Sequence, residues 1–225
     1  HTSVLSETFK NSASFAGYKQ LTDFNRDDRE GIGFYHVTQA NGQRCSTAKG
    51  YLTQAKHRNN LTVLTKVAAE KVLLKEGRAI GVQVREKGAV SRYFAKSEVI
   101  LCGGAINSPQ LLMLSGIGPR NELEDKGIFV HQDLPGVGQN LQDHLDAIVQ
   151  YTCKAREGYA VALGALPSYV KATADYAFKR NGIFSSNIAE AGGFVSSSLA
   201  SQGPDIQFHF LPAILNDHGR QLAFG

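Results

Sequence analysis

The sequence predicts a mixed α/β fold containing a β-meander, and three observations carry that reading. Between Asn60 and Ala95 apolar runs alternate with a period of two, as in Ile80, Val82 and Val84 against Gly81, Gln83 and Arg85, with breaks at Glu76-Gly77-Arg78 and Lys87-Gly88. Glu98 to Cys102 is a nearly continuous apolar run that leads into Gly103-Gly104 and then into a leucine-rich helical pattern. A buried strand, a glycine turn and a helix N-terminus make up the unit that α/β proteins turn toward dinucleotides. The length agrees: 225 residues, 42% hydrophobic and 20% charged, suffice for one large domain or two small ones with a real core.

The elements follow in chain order. Residues 3–16 place Val4, Leu5, Phe9 and Phe15 at mixed helical spacing, with Gly17 available to end the helix. Gly33 to Gln39 and Gln43 to Ser46 flank Asn41-Gly42, the dipeptide that suits the positive φ of a type I′ hairpin turn. Thr47 to His57 reads as a helix. Strands are expected at Leu61–Thr65, Val67–Leu74, Ala79–Arg85, Val90–Ala95 and Glu98–Cys102. In the following helix Ser108 is expected as the cap and Pro109 as the first helical residue. A short helix at Asn121–Lys126, a strand at Ile128–His131 and a turn-rich stretch through Asn140 come next. Beyond a boundary near residue 146, Pro167 opens a helix through Arg180, and strands are expected at Ala189–Val195 and Asp205–Leu211.

Composition excludes several functions. The 24 basic against 20 acidic residues give a net charge of +4, too mild for a nucleic-acid protein. Residues 1–100 hold 16 basic and 9 acidic groups and residues 101–225 hold 8 and 11, so the first part suits an anionic ligand and the second a cationic one. Cys45, Cys102 and Cys153 are far apart with no CxxC, which argues for buried free thiols in a reducing compartment and against a metal site. The most apolar stretch, Tyr159 to Leu166, is too short to span a bilayer. A chain opening at His1 without a basic and apolar leader gives no sign of a signal peptide. Gly31-Ile-Gly33, Gly116-Ile-Gly118 and Gly136-Val-Gly138 each fail to complete GxGxxG, and no serine lies in GxSxG.

One segment goes further: Gly104-Ala-Ile-Asn-Ser108-Pro109-Gln-Leu-Leu-Met-Leu-Ser115-Gly116-Ile-Gly118. It resembles the second signature of the glucose-methanol-choline (GMC) oxidoreductases, FAD enzymes that oxidise alcohols. The resemblance extends through Asp23-Phe-Asn25, Glu30-Gly-Ile-Gly33, Gly42-Gln-Arg44-Cys-Ser46-Thr-Ala48, Asn60-Leu-Thr-Val63 and Leu134-Pro-Gly-Val-Gly138-Gln-Asn-Leu-Gln-Asp143-His144. Ser186-Asn187-Ile-Ala-Glu190-Ala-Gly-Gly-Phe194 and Pro204-Asp-Ile-Gln-Phe-His209-Phe look closest to the choline-oxidising members.

The resemblance implies an interior part of a longer enzyme: residues 1–145 as the middle of a Rossmann-like FAD-binding domain with its β-meander, and 146–225 as the start of an antiparallel-sheet substrate domain. It implies FAD as cofactor, with the adenine read by main chain near Ala69 and the nucleotide approached closely at Gly103 and Gly104. It implies a small alcohol, choline foremost, as substrate, with Glu190 attracting the ammonium head beside Phe194 or Phe208, and His209 holding the hydroxyl. The family's catalytic histidine lies in a C-terminal segment with no counterpart in these residues, so no catalytic residue is assigned and the chain is expected to need the rest of the parent polypeptide. The expected location is the cytoplasm, with peripheral attachment to the inner membrane as a second option. The rival reading is a non-catalytic β-rich module that assembles with another chain and binds no flavin.

Overall fold

The computed structural model describes residues 2–152, 158–159 and 166–213. The elements begin with α1 (Val4–Phe15), β1 (Gln20–Leu21), β2 (Gly31–Phe34), β3 (Gln39–Ala40), β4 (Gln43–Arg44), a π-helical turn at Ala48–Leu52 and α2 (Thr53–Ala55). A central group follows: β5 (Val67–Lys75), β6 (Arg78–Glu86), β7 (Ala89–Phe94), α3 (Gly104–Leu114), β8 (Ile117–Gly118), α4 (Arg120–Asp125) and β9 (Gln132–Asp133). Last come α5 (Leu166–Lys179), a 3₁₀ turn at Ile183–Ser185, β10 (Ala191–Val195) and β11 (Ile206–Phe210). The structure has mixed parallel and antiparallel sheets, as the α/β expectation requires.

Two compact units form, His1–Arg58 with Ile148–Gly225 and Asn59–Ala147. The sequence reading divides the chain once, at 145/146. The structure divides it twice, because β2 pairs antiparallel with β10 and thereby joins the N-terminal residues to the C-terminal ones.

In the first unit the sheet order is β1-β2-β10-β11, with β1 parallel to β2 and the other pairings antiparallel. Helix α1 is started by Ser3, whose side chain accepts the Ser6 N–H at 3.0 Å, and it ends before Gly17 at φ +86°. It covers one face of the sheet: Ala13, Ile32 and Val195 are buried together with Phe9 against them, and Phe9 stacks on Phe210 at 4.7 Å. The Asn41-Gly42 turn has φ of 51° and 66°, as type I′ requires, but its arms are only β3 and β4. Gly31–Phe34 belongs to the larger sheet, because its apolar face is buried there rather than in the hairpin.

In the second unit β5, β6 and β7 form the expected antiparallel meander, with turns at Glu76-Gly77 and Lys87-Gly88 all at positive φ. A register shift between Ala69 and Lys71 leaves Glu70 as an extra residue in β5. Ser115, fully buried after α3, links helix to sheet by accepting the Val72 N–H at 2.7 Å and donating to the Leu111 carbonyl at 2.6 Å. Ser115→Ala leaves the buried Val72 N–H without a partner, so a loss of about 1–3 kcal/mol is expected. A lowered urea midpoint at unchanged slope is the measurement.

Several local expectations are corrected. Leu61–Thr65, Glu98–Cys102 and Ile128–His131 form no strand among the described residues, and strand β9 lies just beyond the last of them. Helix α3 starts at Gly104, not after Ser108. The Ser108 hydroxyl instead accepts the Gly103 N–H at 2.9 Å, and Pro109 lies inside the helix. Cys102 is exposed and not buried, because no strand flanks residues 98–102 among the described residues, while Cys45 is half-buried. Cys153 and most of Tyr159–Leu166 lie outside the described residues.

Candidate functional site

Each unit carries one candidate region. In the second unit these are the loop before α3 and the outer edge of β5. As the edge strand of β5-β6-β7, β5 presents one row of its main-chain N–H and C=O groups away from β6, and exposed Ala69 lies in that row beside the bulge. Main-chain recognition needs open backbone and a small side chain, and Ala69 supplies both. Gly104 has φ +79°, and the space where a Cβ would stand is open. At Gly103 a Cβ would come within 3.0 Å of the Asn107 Cβ and 3.1 Å of the Ser108 nitrogen, so that glycine relieves crowding between loop and helix. The first turn of α3 has no acidic side chain, which leaves the positive end of its dipole available to an anion. These residues fit the nucleotide half of FAD.

In the first unit, alternation along the paired strands sorts the side chains. Ile32, Gly193, Val195 and Phe210 face α1, whereas Gly33, Tyr35, Gly192, Phe194, Gln207 and His209 face the other way. His209 is exposed on that second face, with the Tyr35 ring 5.2 Å away at an interplanar angle of 32°. Phe24 and Phe194 complete an aromatic group, at 5.3 Å (Phe24 to Tyr35), 5.5 Å (Phe24 to Phe194) and 6.5 Å (Tyr35 to Phe194). Phe208, opposite Gly193, belongs to the α1 face. Of Phe194 and Phe208, Phe194 shares a face with His209 and Phe208 does not.

Glu190 lies on the α1 side. It is 2% exposed, and both carboxylate oxygens are engaged: Oε2 accepts the Ser3 N–H at 2.6 Å, while Oε1 accepts Tyr159 Oη at 2.6 Å and Ser186 Oγ at 2.5 Å. Burial pushes its carboxyl upward, but the hydrogen bonds from Ser186, Tyr159, Ser3 and Ser6 outweigh that and hold it below the usual value. The same burial, with the ionised Glu190 accepting its proton, pushes the Tyr159 hydroxyl up to about 12. This enclosed position differs from the open, aromatic-flanked one expected of an ammonium contact. Glu190 ties the first turn of α1 to the approach of β10, where Ile188 takes φ +65°.

Sequence reading missed Ser3, Ser6, Tyr159 and Ser186, whose meeting with Glu190 depends on long-range packing. It does not single out Tyr35 or Phe24 either, although Gly33-Phe34-Tyr35 at strand spacing puts Tyr35 on the glycine face. Among the described residues Asp143 and His144 meet in a local bond, from the His144 N–H to Asp143 Oδ1 at 2.8 Å. Among the described residues no cluster of His, Cys, Asp and Glu could hold a metal, and no helix is long and apolar enough to cross a membrane.

The open loop at the start of α3, beside the edge of β5, lies in one unit and the mixed sheet β1-β2-β10-β11 in the other, and comparison with known proteins supplies the class. The GMC oxidoreductase family model matches residues 1–146, and the chain belongs to that family. It is 44% identical over 223 residues to an alcohol dehydrogenase [acceptor] of Pseudomonas putida, covering 98% of this chain and 40% of that protein. It is 41% identical over 220 residues to an oxygen-dependent choline dehydrogenase of Photobacterium profundum, covering 98% and 38%. The chain thus spans about two fifths of the length of these relatives. A solved FAD-dependent oxidoreductase from Chaetomium thermophilum superposes with TM-score 0.75 at 25% identity, covering 86% of this chain and 35% of that one. An Aspergillus oryzae formate oxidase gives TM-score 0.71 at 28% identity, covering 85% and 33%. Family and structural neighbours together indicate FAD as the cofactor.

Proposed function

We propose that this chain is the interior portion of an FAD-dependent oxidoreductase that converts a primary alcohol, with choline favoured, to the aldehyde. The observation that carries the reading is His209, an exposed imidazole on a sheet face lined by Tyr35, Phe24 and Phe194. An imidazole can hold an alcohol hydroxyl, and aromatic faces suit a quaternary ammonium, which has no N–H to donate. The similarity to alcohol and choline dehydrogenases across 98% of the chain supports the same substrate class.

In this reading the unit Asn59–Ala147 serves the cofactor. The main chain at Ala69 reads the adenine, Gly104 admits the nucleotide to the backbone, and Gly103 lets the loop pack on α3. The other unit serves the substrate: His209 orients the hydroxyl, and the ionised Glu190 adds negative potential while holding α1 in place. Bound FAD supplies the acceptor for the hydride leaving the alcohol carbon.

Two experiments on the full-length protein test the reading. Gly104→Val forces a β-branched residue to φ +79° and fills the open space. FAD binding should weaken at least about tenfold, equivalent to 1.4 kcal/mol, as read by fluorescence titration of the apoprotein. Unchanged affinity removes Gly104 from the cofactor site. Glu190→Gln should raise KM for choline more than for its neutral isostere 3,3-dimethylbutan-1-ol, and equal changes would remove its charge from ammonium recognition.

A further inference from the structure

We propose that Tyr35 is the positioning residue of His209, setting both the imidazole plane and the path of the strand that carries it. The inference rests on the reading that His209 holds the substrate hydroxyl.

Tyr35 follows β2, yet its main chain continues the sheet, the Tyr35 N–H donating to the Glu190 carbonyl at 2.9 Å. Its side chain crosses β10 to reach β11. The crossing is possible only because Gly192, paired with both Gly33 and His209, has no side chain. A Cβ there would stand 2.5 Å from Tyr35 Cε2 and 2.6 Å from its hydroxyl oxygen. At the far end the Tyr35 hydroxyl donates to the Phe208 carbonyl at 2.5 Å, on the residue immediately before His209, and Gln207 Nε2 lies 3.5 Å from the same oxygen. The ring meanwhile lies beside the imidazole.

Two restraints therefore act on one residue. The hydroxyl bond fixes the backbone from which His209 projects, and the ring occupies the side from which the imidazole could otherwise rotate. Phe24 and Phe194 in turn hold the Tyr35 ring at 5.3 and 6.5 Å. A group that must meet a hydroxyl at hydrogen-bond distance loses rate steeply when misplaced by a fraction of an ångström to an ångström.

The test is a double-mutant cycle in the full-length enzyme with choline as substrate, using His209→Ala, Tyr35→Phe, Tyr35→Leu and the combined variants. Tyr35→Phe keeps the ring and should lower kcat about three- to tenfold. Tyr35→Leu removes both restraints and should lower kcat about 100-fold, with a smaller change in KM. In the His209→Ala background either change should alter kcat by less than about twofold, because nothing remains to be positioned. Multiplicative effects in the combined variants would overturn the proposal while leaving the role of His209 intact. Full activity in His209→Ala would overturn the hydroxyl-holding reading and the proposal with it. The His209 ring Cε1–H resonance in ¹³C-histidine-labelled protein gives a readout independent of turnover. It should move in Tyr35→Leu and more weakly in Tyr35→Phe, and an unmoved resonance in both would contradict the proposal even if the Leu variant were poorly stable.

Discussion

Glu190→Ala is expected to destabilise the protein by about 3 kcal/mol, because it leaves the Ser3 N–H and the Tyr159 and Ser186 hydroxyls without their shared acceptor in a buried position. For a unit of this size that corresponds to a fall in Tm of about 10 °C. Glu190→Gln keeps one oxygen for two of the donors but turns an NH₂ toward the third, so it should lie between the two. The pH dependence has a definite sign. The carboxyl is held below its ordinary 4.5 in the folded protein, so its contribution is complete above that value and disappears as pH falls through the lower folded value. Wild type should therefore lose stability more steeply than Glu190→Gln below about pH 4.5. Parallel acid-unfolding curves for the two proteins would mean that the carboxylate contributes no charge-dependent stability.

The second large effect is Gly192→Ala. The added methyl would run into the Phe208 carbonyl oxygen, part of the neighbouring strand, as well as into the Tyr35 ring. The Phe208 oxygen belongs to the backbone of a paired strand and cannot swing aside. Separating β10 from β11 should cost about 3 kcal/mol or more. Thermal melts of the holoenzyme read the loss, and an alanine variant within 0.5 °C of wild type would show that the strands are not packed at this closeness.

The legible parts of this molecule are those whose signal is local. The meander could be read because its alternation and its two turn dipeptides, Glu76-Gly77 and Lys87-Gly88, lie within one short stretch. The helices at Val4–Phe15 and Leu166–Lys179 have their stop signals beside them, in Gly17 and in Asn181-Gly182. The local pattern puts Gly33 to Gln39 in the nearest hairpin, whereas Gly31–Phe34 pairs with β10, a partner near the far end of the chain. Glu190 stood out as a carboxylate among small residues, but its nature depends on Ser3, 187 positions away. Glu98–Cys102 has the composition of a buried strand, yet Ile100 is exposed and the segment is unpaired among the described residues. Apolar composition records what a segment is made to lie against, not which chain segment supplies it.

The most direct measurement is anaerobic reduction of the flavin in the purified full-length protein by choline, followed by absorbance. The expected result is a yellow protein whose flavin bands bleach on adding choline, more readily than with 3,3-dimethylbutan-1-ol. A preparation that contains no flavin and takes up none, or one whose flavin is unchanged by any primary alcohol, would contradict it.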